Sequence, residues 1–185
     1  MPLIYVTGPS GAGKSTVCNE LVHRGYEAHD TDEHGLSEWY EVATGKQVER
    51  PSELERTSNW YETHEYWISP EKVRALAKRA KSKLVFLCGI PANDLDLIEY
   101  YDKMICLVID TETMKKRIAE REANTFGNSA DELKLMLYWH DKIVERRRNL
   151  GAITIDATRS IDTIINQILD ATNYESSNKA GLSAE

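Results

Sequence analysis

The chain is poor in cysteine and phenylalanine and has no long apolar run. Its three cysteines, Cys18, Cys88 and Cys106, are odd in number, far apart and set inside apolar segments. That excludes a disulfide framework and a closely spaced metal-thiolate site, and leaves small core residues of a reducing compartment. No apolar stretch approaches the roughly 20 residues of a bilayer-crossing helix. The first residues carry no basic segment ahead of their apolar run, so neither a membrane span nor a secretory signal is expected and the cytoplasm is the default location. Basic residues are in deficit: 23 Lys and Arg face 30 Asp and Glu, a formal net charge of −7. An acidic balance argues against long nucleic acid or an anionic membrane as partner, but allows a local basic pocket. There is no repeat and no internal linker, and 185 residues make one domain the expected number, as a monomer or homodimer.

Glycine is also sparse, yet three of the ten glycines crowd into Gly8-Pro9-Ser10-Gly11-Ala12-Gly13-Lys14-Ser15-Thr16. The stretch follows Leu3-Ile4-Tyr5-Val6, a β-rich apolar run. It precedes Val17, Cys18, Leu21 and Val22, whose spacing suits one buried helix face. Strand, glycine loop and helix with the spacing G-x-x-x-x-G-K-S make a phosphate-binding loop. Glycines let the backbone curl with its N–H groups inward, and the helix dipole adds positive potential for anionic oxygens. Gly8, Ser10, Gly11, Ala12, Gly13, Lys14, Ser15 and Thr16 are therefore expected to cradle a nucleotide. Lys14 would reach its β- and γ-phosphates, and the Ser15 hydroxyl would bind Mg2+.

Downstream, strands and helices alternate. Gly25 reads as a helix C-cap and Tyr26 to His29 as a weak second strand. From Leu36 to Ile68 the chain is aromatic and charged, with turn signals at Thr44-Gly45-Lys46 and Arg50-Pro51, and is expected to hold short helices and loops. Ser69-Pro70-Glu71 starts a helix. Leu84 to Cys88 and Met104 to Ile109 read as strands buried on both faces. Pro91 to Tyr100 reads as a short helix, and Asp110 or Thr111 as the cap of the next. Ser129-x-x-Glu132 is a capping box that opens a long helix. Ala152 to Ile155 is the last strand, and Ser160 starts the last helix. Five strands alternating with helices predict a parallel sheet covered on both faces, with ligands beyond the strands' carboxyl ends.

Phosphoryl transfer needs a donor cradle, a metal and an aligned acceptor. Asp30 and Asp32 follow the second strand. Residues two apart in an extended segment face the same way, so Asp30 is expected to hold Mg2+ through its water shell and Asp32 to take a proton from an acceptor hydroxyl. Arg117 and Arg121 share a helix face ahead of Asn124 to Asn128, the layout of a lid that carries cations onto phosphates. Arg146, Arg147 and Arg148 read as a solvated run at a helix end. Thr158 and Arg159 either flank the adenine or simply turn into the last helix. His140 lies in register with an apolar stripe and reads as a core or boundary residue, while His64 serves either substrate or packing. Trp39, Tyr40, Trp60, Tyr61, Tyr66 and Trp67 either sandwich a nucleobase or anchor a small subdomain. Arg50 and Arg56 are surface residues or partners of an acceptor anion.

By motif order over roughly its first 170 residues, the chain resembles the P-loop small-molecule kinases: nucleoside monophosphate kinases, shikimate kinase and gluconate kinase. The matching residues are Gly8 to Thr16, Asp30-x-Asp32 and Arg117-Ile118-x-x-Arg121. The resemblance implies a three-layer α/β P-loop NTPase fold with five parallel strands in the order 2-3-1-4-5. It implies one kinase domain over 1–173, an acceptor-binding insertion at 36–68, a short lid at 122–132 and a flexible tail at 174–185. It also implies Arg117 over the adenine, Arg121 on phosphates with Lys14 and Asp32 as catalytic partners, and Mg-ATP as donor. The strand ending in Cys88-Gly89-Ile90 lacks the acid usual at that place, and the shikimate-binding arginine pattern is absent. The implied activity is transfer of a γ-phosphate to a small acceptor, with a nucleoside or nucleotide favoured. A shikimate-, gluconate- or activated-sugar-type alcohol is the alternative. A regulatory or RNA-associated NTPase is the reading from another class.

Overall fold

The computed structural model describes residues 2–32, 35–52, 55, 57–120 and 130–172. Strand β1 (Leu3–Thr7) is buried along its whole length and leads through the glycine loop into α1 (Lys14–His23). Gly25, at φ +86°, ends that helix: its N–H donates to the Val22 carbonyl and the Tyr26 N–H to that of Leu21, a Schellman closure. Val22, expected on the buried face, is instead half exposed. β2 (Glu27–Asp30) follows.

After an inserted segment come α3 (Pro70–Arg79), β6 (Val85–Cys88), a 3-10 helix (Asp94–Tyr100), β7 (Lys103–Val108), α4 (Thr111–Glu120), α5 (Ala130–Asn149), β8 (Ile153–Asp156) and α6 (Ile161–Ala171). The Ser69 and Ser160 hydroxyls accept the Lys72 and Thr163 N–H groups at the starts of α3 and α6. Asp110 does the same for Thr113 ahead of α4. The parallel sheet runs β2-β6-β1-β7-β8. Counted among parallel strands alone, that is the expected 2-3-1-4-5. Successive side chains of β1 point to opposite faces. Ile4 and Val6 pack with Val17, Leu21, Phe86, Ile105 and Ile165 on one side. Leu3 and Tyr5 pack with Ile68, Val73, Leu76 and Leu87 on the other.

The insertion departs from its expected form. Residues Ser37–Glu41 (β3), Lys46–Val48 (β4) and His64–Ile68 (β5) make an antiparallel sheet in the order β4-β3-β5, with one short helix, α2 (Ser58–Thr63). The period-two signal is hidden because both faces carry aromatics. Trp39 meets Tyr66 at 5.2 Å between ring centroids on one face, and Tyr40 stacks on Trp67 at 5.1 Å on the other.

Nor is the arginine run all solvated. Arg146 and Arg148 are exposed, but Arg147 is 5% exposed. Consecutive helix residues lie about 100° apart, so neighbours in a run face different ways, and here the middle one turns inward. Arg147 Nη2 donates to Asp94 Oδ2 at 2.6 Å, and the Tyr5 hydroxyl hydrogen-bonds the same oxygen while lying 3.0 Å from the Gly89 carbonyl. Tyr5 stacks on Tyr101 at 4.5 Å. Burial pushes the Asp94 carboxyl up, against the opposing pull of Arg147 and Tyr5. Removing one partner of such a buried pair strands the other charge. Asp94→Ala should therefore lose about 3–5 kcal/mol in urea unfolding, and Asp94→Leu with Arg147→Met should lose less than either single change. A loss under about 1 kcal/mol for Asp94→Ala would show that the pair does not hold this face together.

Candidate functional site

Because β1, β2, β6 and β8 are parallel in one sheet, the segments after them emerge along one edge. The glycine loop, Asp30-Thr31-Asp32, Gly89 and Asp156 to Arg159 therefore converge. The loop needs its glycines. Gly8, Gly11 and Gly13 have φ of +146°, +77° and +89°, and a Cβ on Gly8 would lie 2.4 Å from the Leu107 carbonyl oxygen. Gly13 is the N-cap of α1 and supplies no side chain to it, and the first turn contains no acid. The leading N–H groups of the helix thus keep their pull on an anion. Lys14 Nζ bends back to the carbonyls of Gly8 and Pro9, at 3.0 and 3.1 Å. Ser15 is partly exposed in the same turn, Thr16 is exposed, Ser10 is partly exposed and Ala12 is buried.

Asp30 ends β2 and is 2% exposed, and its Oδ1 accepts the Asp32 N–H at 2.8 Å. Asp32 stands one turn further out with its residue surface open to solvent. The surrounding protein still desolvates its carboxyl enough to raise the pKa. The Asp30 charge adds to that rise, while Lys14, the Thr31 hydroxyl at 3.1 Å and Arg50 oppose it. Among the described residues, no group of three or more His, Cys, Asp or Glu could hold a metal ion. Magnesium takes one or two protein oxygens and completes its shell with water and phosphate. The buried Asp30 carboxylate and the Ser15 hydroxyl beside an anion-ready loop fit this requirement.

On the other flank, Arg117 spans two strand ends. Its Nη1 donates to the Gly11 carbonyl at 3.3 Å and its Nη2 to that of Ala157 at 2.8 Å. Next to it the Asp156 carboxylate accepts from the Thr158 hydroxyl and N–H and from Arg159 Nε. These bonds, the Thr158 hydroxyl foremost, hold its pKa below the usual carboxylate range. Thr158 and Arg159 are therefore exposed members of a turn beside Arg117. Arg121 lies outside the described residues, as do Arg56 and most of the expected lid.

The insertion closes the third side. Its β5 is tied to the segment after β6 by Ala92 N–H to the Tyr66 carbonyl at 2.7 Å, and by the Asn93 amide on the Ile68 N–H and carbonyl at 2.8 and 3.0 Å. The Tyr66 hydroxyl reaches the Thr31 carbonyl at 3.3 Å, and burial together with the Asp32 charge lifts its pKa to about 12. Trp60 lies between Trp39, at 4.7 Å, and His64, stacked at 4.6 Å. Tyr61 donates to Glu132 Oε1 at 2.5 Å. The rings are thus used largely on one another, as anchors of a small sheet. His140 is buried with Nε2 3.0 Å from the Ile109 carbonyl, the boundary role expected of it. Sequence reasoning named Tyr66 only as one of the aromatic rings and passed over Thr31, whose carbonyl it meets. Both act through pairing between distant strands, which no local spacing displays.

No helix among the described residues is long and apolar enough to cross a membrane. No curated protein matches the chain by sequence. Solved structures share its fold. The chain is similar to shikimate kinase from Acinetobacter baumannii in complex with shikimate, at 22% identity over 97% of this chain and 96% of that one, with a TM-score of 0.56. It is similar to a gluconokinase from Sinorhizobium meliloti 1021, at 17% identity over 93% and 91%, with a TM-score of 0.54. It is also similar to deoxyadenosine kinase from M. mycoides with bound dATP, at 18% identity over 94% and 100%, with a TM-score of 0.52. The AAA domain family model matches residues 4–136, the span that carries the glycine loop, both acids, the inserted sheet and Arg117. With loop, strand order and family model in agreement, the chain belongs to the AAA domain family and has the P-loop NTPase fold.

Proposed function

We propose that the chain is an ATP-dependent phosphotransferase that moves the γ-phosphate to a hydroxyl or phosphate of a small molecule. The observation that carries this is the pairing of Asp30 and Asp32 beside the glycine loop, with a separate sheet docked over the same strand ends. A bare NTPase needs no such third wall. The solved structures of like fold include a sugar kinase, shikimate kinase, deoxyadenosine kinase and gluconokinase, all named for small acceptors.

In this reading the loop amides and the start of α1 bind the triphosphate, and Lys14 swings from the Gly8 and Pro9 carbonyls onto its terminal oxygens. Arg117, already fastened to both loops, borders the nucleotide where Thr158 and Arg159 turn. Ser15 and Asp30 would hold a magnesium ion, which when bound would supply charge neutralisation on the phosphates. Asp32 orients an acceptor hydroxyl and takes its proton as the acceptor oxygen bonds to the γ-phosphorus. The β–γ bridging oxygen keeps the electron pair of the broken bond and leaves on ADP. For an acceptor phosphate no proton moves, and Asp32 only orients. The partly buried rings of Trp39, Tyr66 and Trp60 support a nucleoside or nucleotide over a shikimate- or gluconate-type alcohol.

ATP consumption with and without a panel of nucleosides, nucleotides, sugar acids and cyclic polyols tests the reading. Turnover should require an acceptor, and equal turnover without one would establish an NTPase instead. Asp32→Asn should lower transfer to a hydroxyl by about a hundredfold or more while leaving Mg-ATP affinity within about threefold. A calorimetric titration alongside the rate assay separates the two effects.

Asp32 must be ionised to act, and its pKa is raised by desolvation and Asp30. Activity should therefore grow with pH through a midpoint above the roughly 3.9 of an ordinary aspartate and level off beyond it. An acid limb at or below the ordinary value would remove Asp32 from this role. Lys14→Ala should weaken binding of Mg-ATP by about tenfold or more and abolish turnover, without loss of fold by circular dichroism. Unchanged nucleotide affinity and turnover would defeat the assignment of the loop.

A further inference from the structure

Helix α5 turns one side inward and leaves the other uncovered. Glu132, Met136, His140, Val144 and Arg147 are buried on its inner side. The outer side carries Tyr138, Lys142, Glu145 and Asn149, all exposed and set at steps of four, three and four residues. That is the spacing of the seam between two packed helices. Tyr138 is 58% exposed and Trp139 beside it 46%. The two rings meet edge to face at 5.1 Å, and Lys142 Nζ lies 3.5 Å from the Tyr138 ring centroid. Among the described residues, Lys142, Glu145, Arg146 and Arg148 make no ion pair.

The order of charge along this side points to its occupant. A two-fold axis that lays α5 antiparallel on a second copy of itself pairs the seam residues reciprocally. With Lys142 opposite Glu145 of the second copy, Tyr138 falls opposite Asn149, and each pair occurs twice. Trp139 and Arg146 each follow a seam residue and share one flank, while Asp141 and Arg148 each precede one and share the other. The same axis brings like flanks together. Arg146 then meets the Trp139 ring and Arg148 meets Asp141, both attractive contacts. A parallel arrangement would instead set Lys142 on Lys142 and Glu145 on Glu145. The chain carries a net charge of −7, so two copies repel over much of their surface. This face, with three basic and two acidic residues, does not share in that repulsion. Beside the Arg146 flank runs a groove of about 540 Å³ whose walls include Leu95, Ile98, Arg146 and Leu150. Ile98 and Leu150 are exposed there. Trp139 of the second copy, on the same flank, is placed to enter it as an aromatic anchor.

We propose that α5 is a dimer interface: two copies of the chain pack antiparallel along Tyr138, Lys142, Glu145 and Asn149, with Trp139 of each seated in the groove beside Arg146 of the other. The pairing goes beyond the phosphotransferase reading and does not depend on it, since none of these residues belongs to the glycine loop or the acid pair. The same helix carries the buried Glu132 that accepts from Tyr61. A second copy on the outer side would therefore brace the helix against which the inserted sheet is bonded.

Sedimentation velocity on the full chain over a series of concentrations tests the pairing. The natural chain should form a dimer. Lys142→Glu and Glu145→Lys each set like charges opposite one another, and each should weaken the dimer about tenfold or more. Mixed together, the two variants should pair with each other, because both contacts between positions 142 and 145 then join opposite charges again. The chain with both changes should dimerise within about threefold of the natural one. Trp139→Ala should weaken the dimer about tenfold or more while leaving the Lys142–Glu145 contacts in place. All three positions are exposed, and circular dichroism checks that each variant keeps its fold. A natural chain that stays monomeric overturns the proposal and leaves this face to another protein. A dimer that Lys142→Glu leaves unchanged overturns it too, as does a mixture of the two charge variants that fails to pair. Whether the chain phosphorylates an acceptor bears on none of these results, so the functional reading and the interface stand or fall separately.

Discussion

The pairing of β1 between β6 and β7 is the constraint on which everything else in the molecule depends. Leu3 to Thr7 are wholly buried and hydrogen-bonded on both sides. The backbone that leaves the strand at Gly8 therefore has one exit, over the Leu107 carbonyl, and only glycine fits there. A curled loop with inward N–H groups follows from that exit and from two further glycines at positive φ. Because the sheet is parallel, the same pairing brings the ends of β2 and β6 alongside. The anion cradle and the acids come from one arrangement of strands rather than from two independent sites.

Charge placement follows the same geometry. The chain is acidic overall, yet Lys14 and Arg117 both point their donors at the carbonyls of the glycine loop. An arginine or lysine in contact with a carbonyl can be drawn to a phosphate, because charge-assisted bonds are the stronger. Across from these cations, burial and then the neighbouring Asp30 charge discourage ionisation of Asp32. The two acids differ in burial, Asp30 enclosed and Asp32 open to solvent, and the proposed reading uses that difference to give them the metal-side and acceptor-side roles.

The central sheet was readable because β1, β6 and β7 are largely apolar runs and three of the helices announce themselves with a serine or aspartate cap, at Ser69, Asp110 and Ser160. The loop was readable because its chemistry is local. Legibility ended where partners are distant in sequence. The alternation in Ser37–Glu41 and His64–Ile68 is masked by tryptophan and tyrosine on both faces, so the inserted sheet looked like irregular chain. Arg147 looked like its neighbours until α5 turned it towards Asp94, 53 residues away. The contact of Thr31 with Gly89 and the bond it receives from Tyr66 are likewise not visible along the chain.

The inserted sheet deserves weight for a reason apart from its aromatic content. It has only three short antiparallel strands and one short helix. This sheet is kept by ring-on-ring packing within it and by main-chain and amide bonds to residues 89–94, among them Ala92 to Tyr66 and Asn93 to Ile68. Those are the residues that follow β6 into the site. Whatever stabilises the sheet therefore also fixes its distance from the acids. If an acceptor binds against this sheet, as proposed, the bonds that keep the sheet docked also set its alignment with the acids.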